Sequence, residues 1–198
     1  MTTVLVAVEG STDLPVAEAL VRFVGCTPRE VHATGGSSSI DSRLSRWCQA
    51  SNREPMLILR DWDDSDAAAC VPELLGKVLG GSQRAPHIAL RIVVRSIESW
   101  IMADAAEARQ FFGAKMPPTP DALRHPKHEL LRLCMKSSKP AIRRNLVSRS
   151  GGVGVNYAGL LSSFAAERWS PARARLNSPS LDRSLARLEQ LRADGTWI

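Results

Sequence analysis

A chain of 198 residues is long enough for one sizeable α/β core, or a core with a small appendage, but short for two full domains. With 44% apolar and 23% charged residues it has the make-up of an ordinary globular protein, which disfavours disorder, collagen-like repeats and a bare coiled coil. The net charge is +6, no run approaches the ~18 apolar residues of a membrane span, and the opening MTTVLVAVEGSTD lacks the pattern of a signal peptide, so no membrane association and a cytoplasmic location are expected.

Short β-branched apolar runs alternate with longer helix-like stretches, which predicts βα units and a parallel sheet. Val4 to Val8 reads as a first strand, apolar enough to be covered on both faces, and Leu14 to Phe23 as the helix after it. A weaker strand at Glu30 to Ala33 runs into Gly35 and Gly36, and Ser37 to Ser39 offer N-caps for a helix ending near Ser51. Met56 to Leu59 forms a third strand that breaks into Arg60-Asp61-Trp62-Asp63-Asp64-Ser65-Asp66, with a helix over Ala67 to Leu79. Ile88 to Val94 is the fourth strand and Ser96 to Ala108 the helix that follows. After Pro117, Pro118 and Pro120, the segments around Glu129 to Met135, Tyr157 to Trp169 and Leu181 to Leu191 read as basic helices.

Ligands of an open parallel sheet gather at the carboxyl ends of its strands. Acidic residues fall at three such ends: Glu9 after the first strand, Asp61 and Asp63 after the third, and Glu98 just beyond the fourth. Residues two apart on an extended segment project to one side, so Asp61 and Asp63 can address one point. Such a pair suits a hard cation that keeps room for phosphate oxygens, as Mg²⁺ does, and the chemistry it favours is phosphoryl transfer or phosphodiester hydrolysis. Glu9 fits a second metal or a general base. The competing reading makes Asp63, Asp64 and Asp66 helix caps and Glu98 a partner of a helix dipole; for Asp66 capping is the preferred reading.

The ordered set VAVEGSTD (Glu9, Gly10), ATGGSSSI (Gly35, Gly36) and LILRDWDD (Asp61, Asp63) resembles the TOPRIM domain of topoisomerases, primases and nucleases of the overcoming-lysogenisation-defect type. SIESWIMAD, with Glu98, Trp100 and Asp104, and the run from Tyr157 through Phe164 and Trp169 to SPSLDRSLARL resemble small bacterial TOPRIM-like proteins of defence-type gene clusters. The resemblance implies a TOPRIM-like, Rossmann-like sheet of about four strands over residues 1–115, with a basic helical extension over 121–198. It implies that Glu9, Asp61, Asp63 and Glu98 are ligands of Mg²⁺ or Mn²⁺, that Glu9, Asp61 and Asp63 carry phage-defence nuclease chemistry on DNA or RNA, and that a separately encoded ABC-type ATPase is a partner. The sole tyrosine, Tyr157, lies in the helical tail with no cleavage domain evident, against a stand-alone topoisomerase. One rival is a non-catalytic nucleic-acid-binding or regulatory protein. Another is a haloacid-dehalogenase-like phosphatase, in which the acidic pair would follow the first strand and Glu9 would lack a role.

Charge is uneven: residues 1–120 carry 12 basic and 14 acidic side chains, residues 121–198 carry 14 and 6. A basic block beside a slightly acidic one suits a polyanion surface serving a carboxylate site. Lys136, Lys139, Arg143, Arg144 and Arg149 are the expected phosphate contacts, with a solvated helix face as the alternative. Gly151 to Gly154 reads as a flexible loop, and His125-Pro-Lys-His128 as a surface loop with no metal partner at ligand spacing. Cys26, Cys48, Cys70 and Cys134 are too scattered for a zinc ribbon or disulfide framework and are expected as mostly buried thiols. The tryptophans read as core, with Trp62 left open, and Ser11 and Thr12 as caps of the first helix. A homo-oligomer is left open.

Overall fold

A computed structural model of the chain describes residues 1–32, 35–49, 54–62, 70–80 and 85–197. The first half consists of β1 (Thr3–Ala7), α1 (Leu14–Phe23), β2 (Thr27–His32), α2 (Gly36–Gln49), β3 (Met56–Asp61), α3 (Val71–Leu79) and β4 (Ile88–Val93). All neighbouring strands pair in parallel, in the order β2-β1-β3-β4. The predicted α/β fold with a four-stranded parallel sheet flanked by helices is therefore present. From β1 the chain steps out to β2, then crosses back to β3 and on to β4, so the winding reverses between β1 and β3. A crevice opens at the carboxyl end of a sheet at such a reversal.

The near-continuous apolar strands are explained by cover on both faces. Val4, Val6 and Val8 join Leu57, Leu59, Ala89 and Val93 on one face, packed with α1 and the later helices. Leu5, Ala7, Met56, Ile58, Ile88 and Leu90 point the other way, against Ile40 and Leu44 of α2 and the end of α3. The side-chain period of two thus divides each strand between two cores.

The second half adds α4 (Ile97–Ala103), α5 (Ala105–Phe112), α6 (Pro126–Met135), α7 (Pro140–Asn145), α8 (Tyr157–Glu167), α9 (Pro171–Ala174) and α10 (Pro179–Ala193). The single helix predicted over Ser96 to Ala108 is two helices, because Asp104 leaves the helical region with φ −79° and ψ 64°. Every residue of α4 is buried. Its hydrogen-bonding groups are met by the C-terminal helices: Trp100 Nε1 donates to Ser180 Oγ at 2.8 Å, Trp169 Nε1 to the Trp100 carbonyl at 2.9 Å, and Asn177 Nδ2 to the Ala103 carbonyl at 2.9 Å. One cluster of buried apolar residues runs from Val4 of β1 through α4 to Trp197, across the predicted boundary between residues 115 and 121.

Local expectations need several corrections. β2 begins three residues earlier than its apolar pattern indicated, because it is an edge strand whose polar start, Thr27 to Arg29, pairs with β1 without needing burial. Ser37 to Ser39 lie inside α2, which starts at Gly36, and Ser39 Oγ pairs with His32 Nε2 at 3.0 Å. α1 has Asp13 rather than Ser11 or Thr12 at its N-cap, with no side-chain cap bond. Trp100, Trp169 and Trp197 are buried, whereas Trp47 and Trp62 are half-buried. Of the thiols, Cys26 and Cys134 are buried, Cys48 is half-buried and Cys70 exposed, all unpaired; burial pushes Cys134 up to about 12. Among the described residues no helix is long and apolar enough to cross a membrane.

Candidate functional site

Glu9 and Asp61 meet at the reversal of the sheet. The Asp61 N–H at the end of β3 donates to Glu9 Oε1 at 2.8 Å, although 52 residues separate the two in sequence. Three features of local sequence hold this junction. Gly36 N–H donates to the Glu9 carbonyl at 3.1 Å from a turn in which Gly35 has φ 99° and Gly36 φ 67°, values that disfavour any side chain. A Cβ on Gly35 would also stand 2.8 Å from Ser39 Cβ. Further along the same helix, Asp41 of α2 forms a two-pronged pair with the buried Arg60, both contacts 2.9 Å, and Arg60 Nη1 donates to the Asp61 carbonyl at 2.8 Å.

The loop after β1 is fixed by Asp13, a residue that the sequence pattern did not single out. Its Oδ2 accepts the Gly10 N–H at 3.0 Å and its Oδ1 the Thr12 hydroxyl at 3.1 Å. Asp13 is 7% exposed, and burial is the main cause that pushes its carboxyl up to about 6, aided by the neighbouring Glu98 and opposed by Thr12, Gly10 and Lys127. A pattern search could have flagged it only as an acid four residues past Glu9, a spacing that every helix start offers.

Glu98 sits in α4, buried, with both carboxylate oxygens engaged: Tyr157 Oη donates to Oε1 at 2.6 Å and Ser96 Oγ to Oε2 at 2.5 Å. Burial and the Glu98 charge drive the Tyr157 hydroxyl far above its usual range, so it stays protonated and serves as a donor, not as a nucleophile. The structure therefore brings Glu9 and Asp61 together and shows Glu98 held by hydroxyls. Asp63, with Asp64 and Asp66, lies outside the described residues. Among the described residues no group of three His, Cys, Asp or Glu is gathered closely enough to hold a metal ion.

Trp62 follows Asp61 directly. Its N–H donates to the Val93 and Arg95 carbonyls, both at 3.0 Å, and the Arg95 guanidinium carbon lies 4.2 Å from its ring centroid. Among the described residues its buried indole Nε1 has no hydrogen-bond partner, a state that costs about 1–3 kcal/mol. Trp62→Phe removes that donor along with some ring volume, so its expected unfolding free energy lies within about 1 kcal/mol of the parent, against the ~3–5 kcal/mol usual for truncating a core aromatic to alanine. Denaturant titration checks this. A loss above about 2 kcal/mol would mean that the indole N–H is satisfied in solution.

The foreseen phosphate contacts are exposed and cluster around α7: Lys136 and Lys139 at the ends of the α6–α7 connection, Arg143 and Arg144 in the last turn of α7. Arg149 is exposed in the turn closed by the Val147–Val153 bridge. Arg143 Nη1 donates to the Ser137 carbonyl, which gives it a structural duty. His125 and His128 are exposed, ring centroids 5.7 Å apart, so the expected surface position is met, but the expected loop is not: His125 caps α6 and Pro126 to His128 form its first turn, with Pro at the N1 position that suits a helix start. Comparison with protein-family models, curated proteins and solved structures gives no match for this chain.

Proposed function

We propose that the chain is a TOPRIM-like, Mg²⁺-dependent nuclease acting on DNA or RNA, related to the overcoming-lysogenisation-defect type and working with a separately encoded ATPase. The observation that carries this reading is the meeting of Glu9 and Asp61 at the reversal of a parallel sheet, where the acidic ends of β1 and β3 converge. Hard carboxylate oxygens are the donor set that Mg²⁺ takes, and Glu9 and Asp61 would hold it, with Asp63 as the third expected donor. When bound, Mg²⁺ or Mn²⁺ supplies charge neutralisation at a phosphodiester. The chain's own residues do the rest. Asp13 and the Gly36 N–H hold the peptide between Glu9 and Gly10, the Asp61 N–H holds the Glu9 carboxylate and Arg60 holds the Asp61 carbonyl, so the Glu9 side chain and the backbone of both acids are fixed.

Asp61→Asn is expected to abolish Mg²⁺-dependent cleavage of plasmid and single-stranded substrates, assayed with and without a candidate ABC-type ATPase of the proposed kind. The melting temperature in metal-free buffer should stay within about 2 °C of the parent, because the Asp61 contact with Glu9 is made by the backbone N–H and survives the change. A variant that cleaves like the parent overturns the assignment. A parent that binds nucleic acid and never cleaves, with either metal and with the ATPase, makes the chain a binding or regulatory relative, a reading that the full engagement of Glu98 by Tyr157 and Ser96 favours.

A further inference from the structure

One cleft lies beside the acidic edge, and a second shares a wall with it. The first, about 160 Å³, runs from Trp62 and Arg95 at the ends of β3 and β4 to the start of α6, where Arg124, His125, Lys127 and His128 line it. The second, about 370 Å³, lies between α6 and the glycine turn, lined by Lys127, His128, Arg132, Met135, Gly151 and Gly152. Lys127 and His128 belong to both, so the clefts form one groove along α6, whose ten residues span ~15 Å. Among the described residues no acidic side chain lines either cleft.

The groove reaches Glu98 through one intervening side chain, and Trp62 in its wall directly follows Asp61. The Lys127 ammonium stands 5.2 Å from the ring centroid of Tyr157, whose hydroxyl binds Glu98, and Lys127 also acts on the charge of Asp13. Its cations are spread along a helix on exposed side chains, which fits a chain of phosphates better than a single phosphate in a closed cradle. Arg132 contributes least, since Glu129 holds it with contacts of 2.7 and 2.6 Å. The ~15 Å of α6 is long enough to run beside more than one phosphate of a strand. Lys136, Lys139, Arg143 and Arg144 line neither cleft.

We propose that this groove binds the phosphate backbone of a single nucleic-acid strand and leads it from the Gly151-Gly152 turn past Lys127 and Arg124 to the Glu9–Asp61 edge. The proposal rests on the nuclease reading for the purpose of the groove, but its binding is measurable without turnover. The probe is a fluorescein-labelled oligothymidylate of twelve nucleotides, titrated in EDTA at several salt concentrations. R124Q/K127Q is expected to bind about tenfold more weakly at low salt and to reduce the slope of log K against log salt by about 1.4, the contribution of two single-strand phosphate contacts. Replacing Lys136, Lys139, Arg143 and Arg144 together with Gln should change affinity less than threefold. Should R124Q/K127Q fail to fold, the single exchange K127E, on an exposed side chain, is read in the same way.

Unchanged affinity and slope in R124Q/K127Q or K127E overturn the groove, whether or not the protein cleaves. A larger loss from the α7 exchange than from R124Q/K127Q moves the strand to α7 and also overturns it. A duplex of equal length that binds tenfold more tightly than the single strand overturns the single-strand path. A parent that binds through the groove but never cleaves with Mg²⁺ or Mn²⁺ removes the nuclease reading and leaves the groove standing.

Discussion

Asp104→Ala is expected to lower the unfolding free energy by about 3 kcal/mol, read as a fall in melting temperature of roughly 6–12 °C for a chain of this size. Asp104 is 1% exposed at the break between α4 and α5. Its carboxylate accepts Arg173 Nε at 2.9 Å, Arg173 Nη2 at 2.8 Å and the Ser170 N–H at 2.9 Å. Truncation leaves a cavity and strips the Ser170 N–H of its partner, and these two losses outweigh the Coulomb term. The Arg173 side chain is 49% exposed and can turn to water, so the ion pair itself is worth little. Arg173→Ala should accordingly cost about 1 kcal/mol or less. Asp104→Asn separates the remaining parts, because its amide carbonyl can still accept the Ser170 N–H. Urea titration of the three variants reads the order directly. An Asp104→Ala protein within about 2 °C of the parent would show that the contact between α4 and the C-terminal helices does not depend on this carboxylate.

The same residue shows how far sequence reaches. SIESWIMAD stood out in the chain, yet the physical duty of Asp104 is to seat α9 on a buried helix, and its partners Ser170 and Arg173 lie 66 and 69 residues away. No local pattern encodes a pairing at that separation. The parallel sheet was legible, because strands covered on both faces read as short apolar runs and the acids at their ends stand out against them. The edge strand β2 was legible only in part, since four of its six residues are exposed and its polar start carries no apolar signal. Glu9 and Asp61 were found because they terminate strands that the sheet order places side by side. Glu98 was located correctly at the head of α4, but its hydroxyl partners, Tyr157 among them, come from packing between distant elements. Basic residues were counted correctly after position 120, yet the count did not reveal which of them share a groove. Charge totals carry no spatial information, and only the fold places Lys127 in the wall of both clefts and Lys136 in neither.

Asp13 supplies the second large effect, one set by pH. Its folded carboxyl titrates at about 6, above its ordinary value of 3.8, with burial the leading cause. A carboxyl raised in the folded state adds stability below its unfolded pKa, and that stability is lost as pH rises through the folded value. For Asp13 the window therefore runs from about pH 4 to just above pH 6, and the loss across it is on the order of 3 kcal/mol. Asp13→Asn has nearly the same shape and keeps an oxygen to accept the Gly10 N–H, but it cannot ionise. In EDTA its stability should match the parent at pH 4 and exceed it progressively to pH 8, approaching the full difference there. Asp13→Ala loses the Gly10 acceptor as well and should fall below Asp13→Asn at every pH. Curves for parent and Asp13→Asn that run parallel from pH 4 to 8 would place the Asp13 carboxyl in water, where burial imposes no cost. Curves that diverge in the predicted direction would mean that the loop following Glu9 is held, through the Gly10 N–H, by a carboxyl that ionises only at an energetic cost near neutral pH.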